Sequence, residues 1–335
     1  MKITELGNIY SSGNAFTTRA ALLQSVYRVE KELSIGETTV SIADGVDKNG
    51  KLKKKKVRKE YGHIVHDGEN TNGNFYFPET FEYANKRVKN KKPEETIKAD
   101  RLFNNLLSSM PLAFNLFHPL MLLHETNKNL INKIISTLFP DYNINEVEKI
   151  DIEYIPLPIA KYTNDKSAMD AVIFFKDNAG KLNIIAIEVK YTDSLGTNKA
   201  SENDLKVKVA KETGYFTKEG IGFIDKGCMQ IYRNFLLTEK YRIEEKLANS
   251  YSIILAPKDH PTTASEINSL KKYFSGDCPK NKLEKYSLED FIKIISENIS
   301  DINSEMDYKG WINWFYDRYL NFDKVEEFYK ELKQK

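Results

Sequence analysis

Three strand-like segments follow one another in the middle of the chain, and that succession limits the fold more than any other feature. Residues 146–158 (EVEKIDIEYIPLP), 167–177 (SAMDAVIFFKD) and 181–193 (KLNIIAIEVKYTD) are rich in Ile, Val, Phe and Tyr. Such side chains suit a pleated, half-buried surface. Asn178-Ala179-Gly180 is a tight connection, so the second and third segments form a hairpin. An amphipathic stretch, GCMQIYRNFLLTEKYRIEEKL at 227–247, then precedes a short apolar strand, YSIILAP at 251–257. A helix between two strands permits a parallel crossover. An apolar helix is expected before the first strand, from about 119 to 138. The order helix, three strands, helix, strand predicts an α/β fold with a mixed β-sheet flanked by helices.

The flanks read less sharply. A helix is expected over 17–33, with Ala21, Leu22, Val26, Val29 and Leu33 near helical spacing. Residues 36–77 read as short strands and polar turns, with turn signals at Gly45, Asn49-Gly50, Asp67-Gly68 and Asn72-Gly73. Asn72-Gly73 before NFYF suggests a closed hairpin. Helices are expected over 78–90 and from 93 to about 109, broken by Pro111. The remainder from 258 reads as mostly helical, and Trp311, Trp314, Phe315, Tyr319 and Leu320 form an apolar stripe that belongs in a core. Three units follow: an N-terminal α+β accessory region (1–115), a core (116–260) and a C-terminal helical segment packed on that core (261–335).

Chemistry concentrates in IIAIEVKY, 184–191. Alternate side chains of a strand share a face. Ile185, Ile187 and Val189 therefore point into a core, while Ala186, Glu188 and Lys190 point the other way. Asp170 stands at the start of the neighbouring strand, where hairpin pairing brings it toward Glu188. Two adjacent carboxylates repel, and a divalent cation relieves the repulsion. Hard oxygen ligands suit Mg²⁺, which keeps waters for a substrate and a nucleophile. A nearby ammonium can orient an attacking water and offset phosphate charge. These are parts for hydrolysing a phosphodiester. An acid-x-Lys tripeptide alone carries little weight, since chance produces several in a chain of this composition.

Lys and Arg number 50 and Asp and Glu 48, so the net charge is +2. The balance hides patches. Residues 48–59 (KNGKLKKKKVRK) hold eight basic residues and no acid, and 86–92 (KRVKNKK) hold five more. A solvated loop is the plain reading of such a run. The sharper one is a contact surface for a phosphate backbone, carried by Lys53, Lys54, Lys55, Lys56 and Arg58. No apolar run approaches the roughly 18 residues of a membrane span, and no signal-peptide layout opens the chain. Cys228 and Cys278 are too few for a disulfide framework, which suits a reducing cytoplasm.

MDAVIFF, a short turn and IAIEVKY together resemble the signature of the PD-(D/E)XK nuclease superfamily, with Met169 in the place of the motif's Pro. The segments RAALLQSVYR (19–28), RLFNNLLSSMPLAFNLF (101–117), QIYRNFLL (230–237) and DRYL (317–320) extend the likeness in order along nearly the whole chain. They resemble a family of bacterial proteins classed as restriction endonucleases within that superfamily. The resemblance implies a helix-strand-strand-strand-helix-strand core and a metal-dependent endodeoxyribonuclease in restriction or phage defence. It implies Asp170 and Glu188 as metal ligands, Lys190 as the catalytic lysine and the Val189 carbonyl as a further ligand. Gln230 stands where such proteins often place a polar residue facing the site. Glu153, on the first strand, is the leading candidate for a third carboxylate, with Glu125 as its rival. The implied cofactor is Mg²⁺, with Mn²⁺ as a substitute, and the implied partner is DNA. A homodimer would mirror a palindromic target, and an unidentified partner protein is another means of control. A non-catalytic DNA-binding or assembly subunit, and a repair or RNA nuclease, are the alternatives.

Other constellations carry less. Asp165 reads as a turn former. His63 and His66 lie three apart in a strand-like stretch, so they face opposite ways. His118 and His124 read as core or capping residues. Ser108-Ser109 lacks elbow glycines, and Gly220 and Gly222 lack the Lys-Ser/Thr ending of a phosphate loop. Arg19, Arg28 and Arg101 are either DNA contacts or internal ties for the N-terminal helices, with the balance toward ties.

Overall fold

The computed structural model describes residues 1–11, 13–46, 52–194, 204–226 and 229–334. Seven strands and eleven α-helices are described. In chain order they are α1 (Ala15–Glu30), β1 (Ile35–Val46), β2 (Leu52–Val65), α2 (Pro78–Lys89), α3 (Ser109–Thr126) and α4 (Lys128–Leu138), then β3 (Ile144–Tyr154), β4 (Met169–Asp177) and β5 (Leu182–Val189). These are followed by α5 (Asp204–Thr213), α6 (Lys218–Asp225), α7 (Gln230–Glu244), β6 (Ser250–Ala256), α8 (Thr263–Lys271), β7 (Leu283–Ser287), α9 (Leu288–Ile299), α10 (Tyr308–Tyr319) and α11 (Glu326–Gln334).

The central sheet has the order β3-β4-β5-β6-β7. Its first three strands form an antiparallel meander, and β6 and β7 add on parallel. This is the mixed α/β sheet flanked by helices that the segment order implied. Ile185, Ile187 and Val189 of β5 join Ile173, Ile152, Ile253 and Leu255 in the main core, where α3, α4 and α9 pack. The opposite face holds Val172, Phe174, Ile184 and Ala186, and it lies under α7. The β4–β5 turn closes at Gly180, which adopts a left-handed φ of +74° while its amide donates to the Asp177 carbonyl at 2.8 Å.

Several expectations are corrected. The mostly helical segment after 260 also supplies a strand that was not expected, β7 at the sheet edge. LEKYS is short and polar, as edge strands tend to be, so it carries little apolar signal. The polar stretch before residue 226 contains α5 and α6. Asn72-Gly73 does not close a hairpin: it lies in a 3₁₀ turn, and Phe75 and Phe77 enter the main core. Residues 93–108 form no α-helix but only one π-helical turn, Asp100–Asn104. There Asn74 Nδ2 holds the Leu102 carbonyl at 2.8 Å, and Ile64 bridges to Asn105.

The two prolines also exchange roles. Pro111 sits in the first turn of α3, where a missing N–H costs nothing, and Ser108 caps that end. Pro119 lies inside α3 and leaves the Asn115 carbonyl without its helical donor. Trp311 Nε1 donates to that carbonyl at 2.7 Å, so a residue nearly two hundred positions later completes the helix. The turn expected at Asn49-Gly50 lies outside the described residues, as do Lys48, Lys51 and Cys228.

The N- and C-terminal segments meet behind β5. Gln24 of α1 donates to the Arg318 carbonyl at 2.7 Å and to the Tyr191 hydroxyl at 3.2 Å. The Tyr191 hydroxyl in turn donates to the Tyr319 carbonyl at 3.2 Å. These groups are buried, and the network pins the chain one residue past Lys190. Among the described residues no helix is long and apolar enough to cross a membrane.

Candidate active site

Sheet register aligns three carboxylates. Ile152 pairs with Ala171 and Ala171 with Ile187, so Glu153, Asp170 and Glu188 stand at one level on adjacent antiparallel strands. Directly opposed residues of an antiparallel pair share a face. All three therefore lie on the α7 side. Glu153 and Glu188 are each 5 % exposed, as is Lys190.

Each group is held by specific partners. Asp170 Oδ2 accepts the Val189 amide at 2.7 Å, which locks the hairpin at the level of the site. Glu188 Oε1 accepts Gln230 Nε2 at 2.8 Å and lies 2.6 Å from Lys190 Nζ. Glu188 Oε2 accepts Asn234 Nδ2 at 2.5 Å. Gln230 and Asn234 are four apart and so share a face of the first two turns of α7. The spacing was legible in QIYRN, but only Gln230 was singled out.

Glu153 has a left-handed φ of +49°, a conformation disfavoured for a residue with a side chain. Arg87 of α2 holds it there. Its guanidinium donates to the Ile152 carbonyl at 2.7 Å and to the Glu153 carbonyl at 3.2 Å, and pairs with Glu95 at 3.3 Å. Arg87 belongs to the basic run 86–92, which as a patch gave no hint of this internal task.

The electrostatics are those of an acid surplus. Burial pushes the Glu153 carboxyl up to about 7, and repulsion from Glu188 adds to it. Burial likewise raises Asp170 well above the usual carboxylate range, reinforced by Glu188 and Glu153, while Lys190 and the Val189 amide pull it back. For Lys190, burial disfavours the charge, but Glu188 and Asp170 outweigh it, so its pKa is raised and it is an ammonium at neutral pH. Among the described residues no three acidic, His or Cys side chains form a ready-made metal cage. The Lys190 ammonium occupies a Glu188 oxygen instead. The acid row fits a divalent cation on chemical grounds, since its mutual repulsion is what such an ion relieves.

Two hollows open onto this row. One, of about 450 Å³, runs between it and the β1–β2 hairpin, and the other, of about 510 Å³, is flanked by Lys98, Lys166 and Arg233. Arg101 lines both and approaches Asp193 at 3.5 Å. Arg19 and Arg28 are ties instead. Arg19 pairs with Glu326, and Arg28 donates to three carbonyls, those of Gly62, Leu33 and Glu5. Glu125 is exposed at the end of α3 and lines neither hollow. Asp165 accepts the Ser167 amide as a turn former does, and pairs with Lys206 at 2.9 Å.

From Leu52 onward the basic run lies in β2, and strand alternation divides it. Thr38, Val40, Tyr61 and His63 line the first hollow, and Val57 and Lys59 continue their face. Lys53 and Lys55 belong to that side by alternation, whereas Lys54, Lys56 and Arg58 belong to the other. Lys55 reaches Asp44 at 3.1 Å and Arg58 reaches Glu37 at 2.7 Å.

The mixed sheet thus carries an acid row with a recessed lysine beside it near the ends of its strands. Comparison with protein-family models matches residues 11–321 to the PD-(D/E)XK nuclease superfamily. The chain belongs to that superfamily, whose members are nucleases that generally use divalent metal ions. Neither the curated proteins nor the solved structures compared gave a match.

Proposed function

We propose that this protein is a Mg²⁺-dependent endodeoxyribonuclease that hydrolyses DNA phosphodiester bonds in restriction or phage defence. The observation that carries the reading is the level row Glu153–Asp170–Glu188 with Lys190 beside it in a recessed cleft. Asp170 and Glu188 are the metal ligands. In a strand the N–H and C=O of one residue point the same way, so the Val189 carbonyl faces the Asp170 side with its amide and is a further ligand. Glu153 is the third carboxylate. Bound there, Mg²⁺ supplies a Lewis acid for the phosphate and lowers the pKa of a bound water. Gln230, with Asn234, orients the Glu188 carboxylate. The Lys190 ammonium, now 2.6 Å from Glu188, would hold the attacking water and offset phosphate charge.

The β1–β2 hairpin is the proposed DNA-holding arm, through Lys53, Lys54, Lys55, Lys56 and Arg58. Replacing Lys53 and Lys55 by Ala should reduce the salt slope of binding by about two and weaken all sequences alike. An unchanged slope would remove the arm from the DNA interface. The enzymatic reading is tested with supercoiled plasmid and single-stranded DNA, in Mg²⁺ and in EDTA, for wild type and Lys190→Ala. Metal-dependent cutting abolished by Lys190→Ala is expected. Discrete fragments support a restriction enzyme, and a smear argues against one. No cutting together with no metal binding would make the chain a binding subunit, whereas metal binding without cutting would point to a missing partner or another substrate.

A further inference from the structure

The wall of the cleft facing the acid row carries aromatic rings that hydrolysis does not use. Tyr10 comes from the segment before α1, and Tyr61 and His63 come from β2. Their ring centroids are 5.8 Å apart for Tyr10–Tyr61, 5.9 Å for Tyr10–His63 and 5.5 Å for Tyr61–His63. All three line the hollow that also contains Asp170, Glu188 and Lys190. Tyr10 is 37 % exposed and is among the large apolar side chains left at the surface. His63 is buried, and its Nδ1 has no hydrogen-bond partner among the described residues. Burial lowers its pKa to about 4, so the ring is neutral near pH 7.

The recess sets what can use these rings. Glu188 and Lys190 line the same hollow as the rings, so an unstacked base next to a phosphodiester held at the acids has the rings within the same cleft. In a duplex the faces of that base are covered by its neighbours. An unpaired base exposes both faces and stacks on aromatic side chains regardless of its identity. The other hollow presents Lys98 and Lys166 beside the acid row, which suits the charged backbone of the continuing strand.

We propose that Tyr10 and Tyr61, backed by the buried His63 ring, form a stacking subsite for an unpaired nucleobase next to the cleaved phosphate, so that the strand cut is single or locally opened. The proposal rests on the nuclease reading and adds the state of its substrate.

The test uses the full chain in EDTA, with single-stranded oligonucleotides carrying 2-aminopurine or an abasic site at successive positions. Quenching at one position is expected, together with roughly tenfold weaker binding when that position is abasic. Tyr10→Ala and Tyr61→Leu should each remove both effects, while Tyr10→Phe keeps them. Thermal melts show that the variants are folded. Absence of quenching at every position, or equal affinity for abasic and intact strands, overturns the subsite. Plasmid cutting by the same preparation separates the two claims. Cutting without quenching leaves the nuclease and removes the subsite, whereas quenching without cutting in Mg²⁺ or Mn²⁺ supports the subsite and removes the nuclease.

Discussion

Two buried glutamate–lysine pairs lie where α7 meets the sheet, and they are built to opposite ends. Glu239, only 1 % exposed, has its Oε1 3.2 Å from Lys282 Nζ and accepts Ser250 Oγ at 2.7 Å, while its Oε2 accepts Arg242 Nε at 2.9 Å. One acid there faces two cations, and Lys282 is further tied to the Ser250 carbonyl at 3.0 Å. Glu188 has one ammonium, Lys190, but shares it with Asp170. The first cluster is compensated where it stands and joins α7 to β6 and β7. The second lacks positive charge and opens to a cleft. Burial is common to both. The sign of the residual charge separates a self-compensated structural pair from an acid row left with unmet negative charge.

The sharpest way to break this contrast is to cut each pair. Lys190→Ala should lower plasmid cutting by about 10³-fold, and the stability it loses by leaving Glu188 without its ammonium should return in millimolar Mg²⁺. Glu239→Gln should do the reverse: about 3–5 kcal/mol of stability lost, because Lys282 and Arg242 keep their charges without the acid, and near-normal cutting per folded molecule. A denaturant titration beside a plasmid assay reads both, and equal behaviour of the two variants would erase the distinction.

A smaller effect follows from pH in the absence of metal. The Glu153 carboxyl, raised to about 7 in the folded chain, keeps its proton after the unfolded chain has lost it near 4.5. Its contribution is therefore present below about pH 4.5 and is lost as pH rises to about 7. Glu153→Gln should be relatively more stable than wild type at the upper end of that window, by about 1–3 kcal/mol. The difference between the two proteins cancels the buried histidines, whose pKa lowered to about 4 acts in the opposite direction. Parallel stability curves would remove Glu153 from the acid surplus.

The smallest effect is the most diagnostic in sign. Asp170→Asn removes a charge from a crowded row and should stabilise the metal-free protein by about 1 kcal/mol. Wild type should gain melting temperature in millimolar Mg²⁺, and the variant should not. A destabilised Asp170→Asn would mean that the Val189 amide contact outweighs the repulsion.

Much of the site was legible because β-strands translate sequence into position simply. Alternation placed Glu188 and Lys190 on one face, and a short turn placed Asp170 across from them. Asn234 was readable from its spacing to Gln230. Arg87 was not, because its task is to hold a backbone turn 66 residues away, and a guanidinium in a basic run gives no sign of it. The length of β1 and β2 was also hidden. Their exposed, Lys- and Thr-rich faces lack the alternation that burial imposes.

The sequence by itself determined the central meander, the α7 crossover and the pairing of Asp170 with Glu188, because local periodicity and turn length leave one register that buries the apolar face. Tertiary structure alone decided that Glu153 and not Glu125 joins the row, that Trp311 completes the helix at Pro119, and that aromatic rings from the hairpin face the acids. Those are meetings of groups far apart in the chain, and their geometry depends on how whole elements pack, not on any local preference.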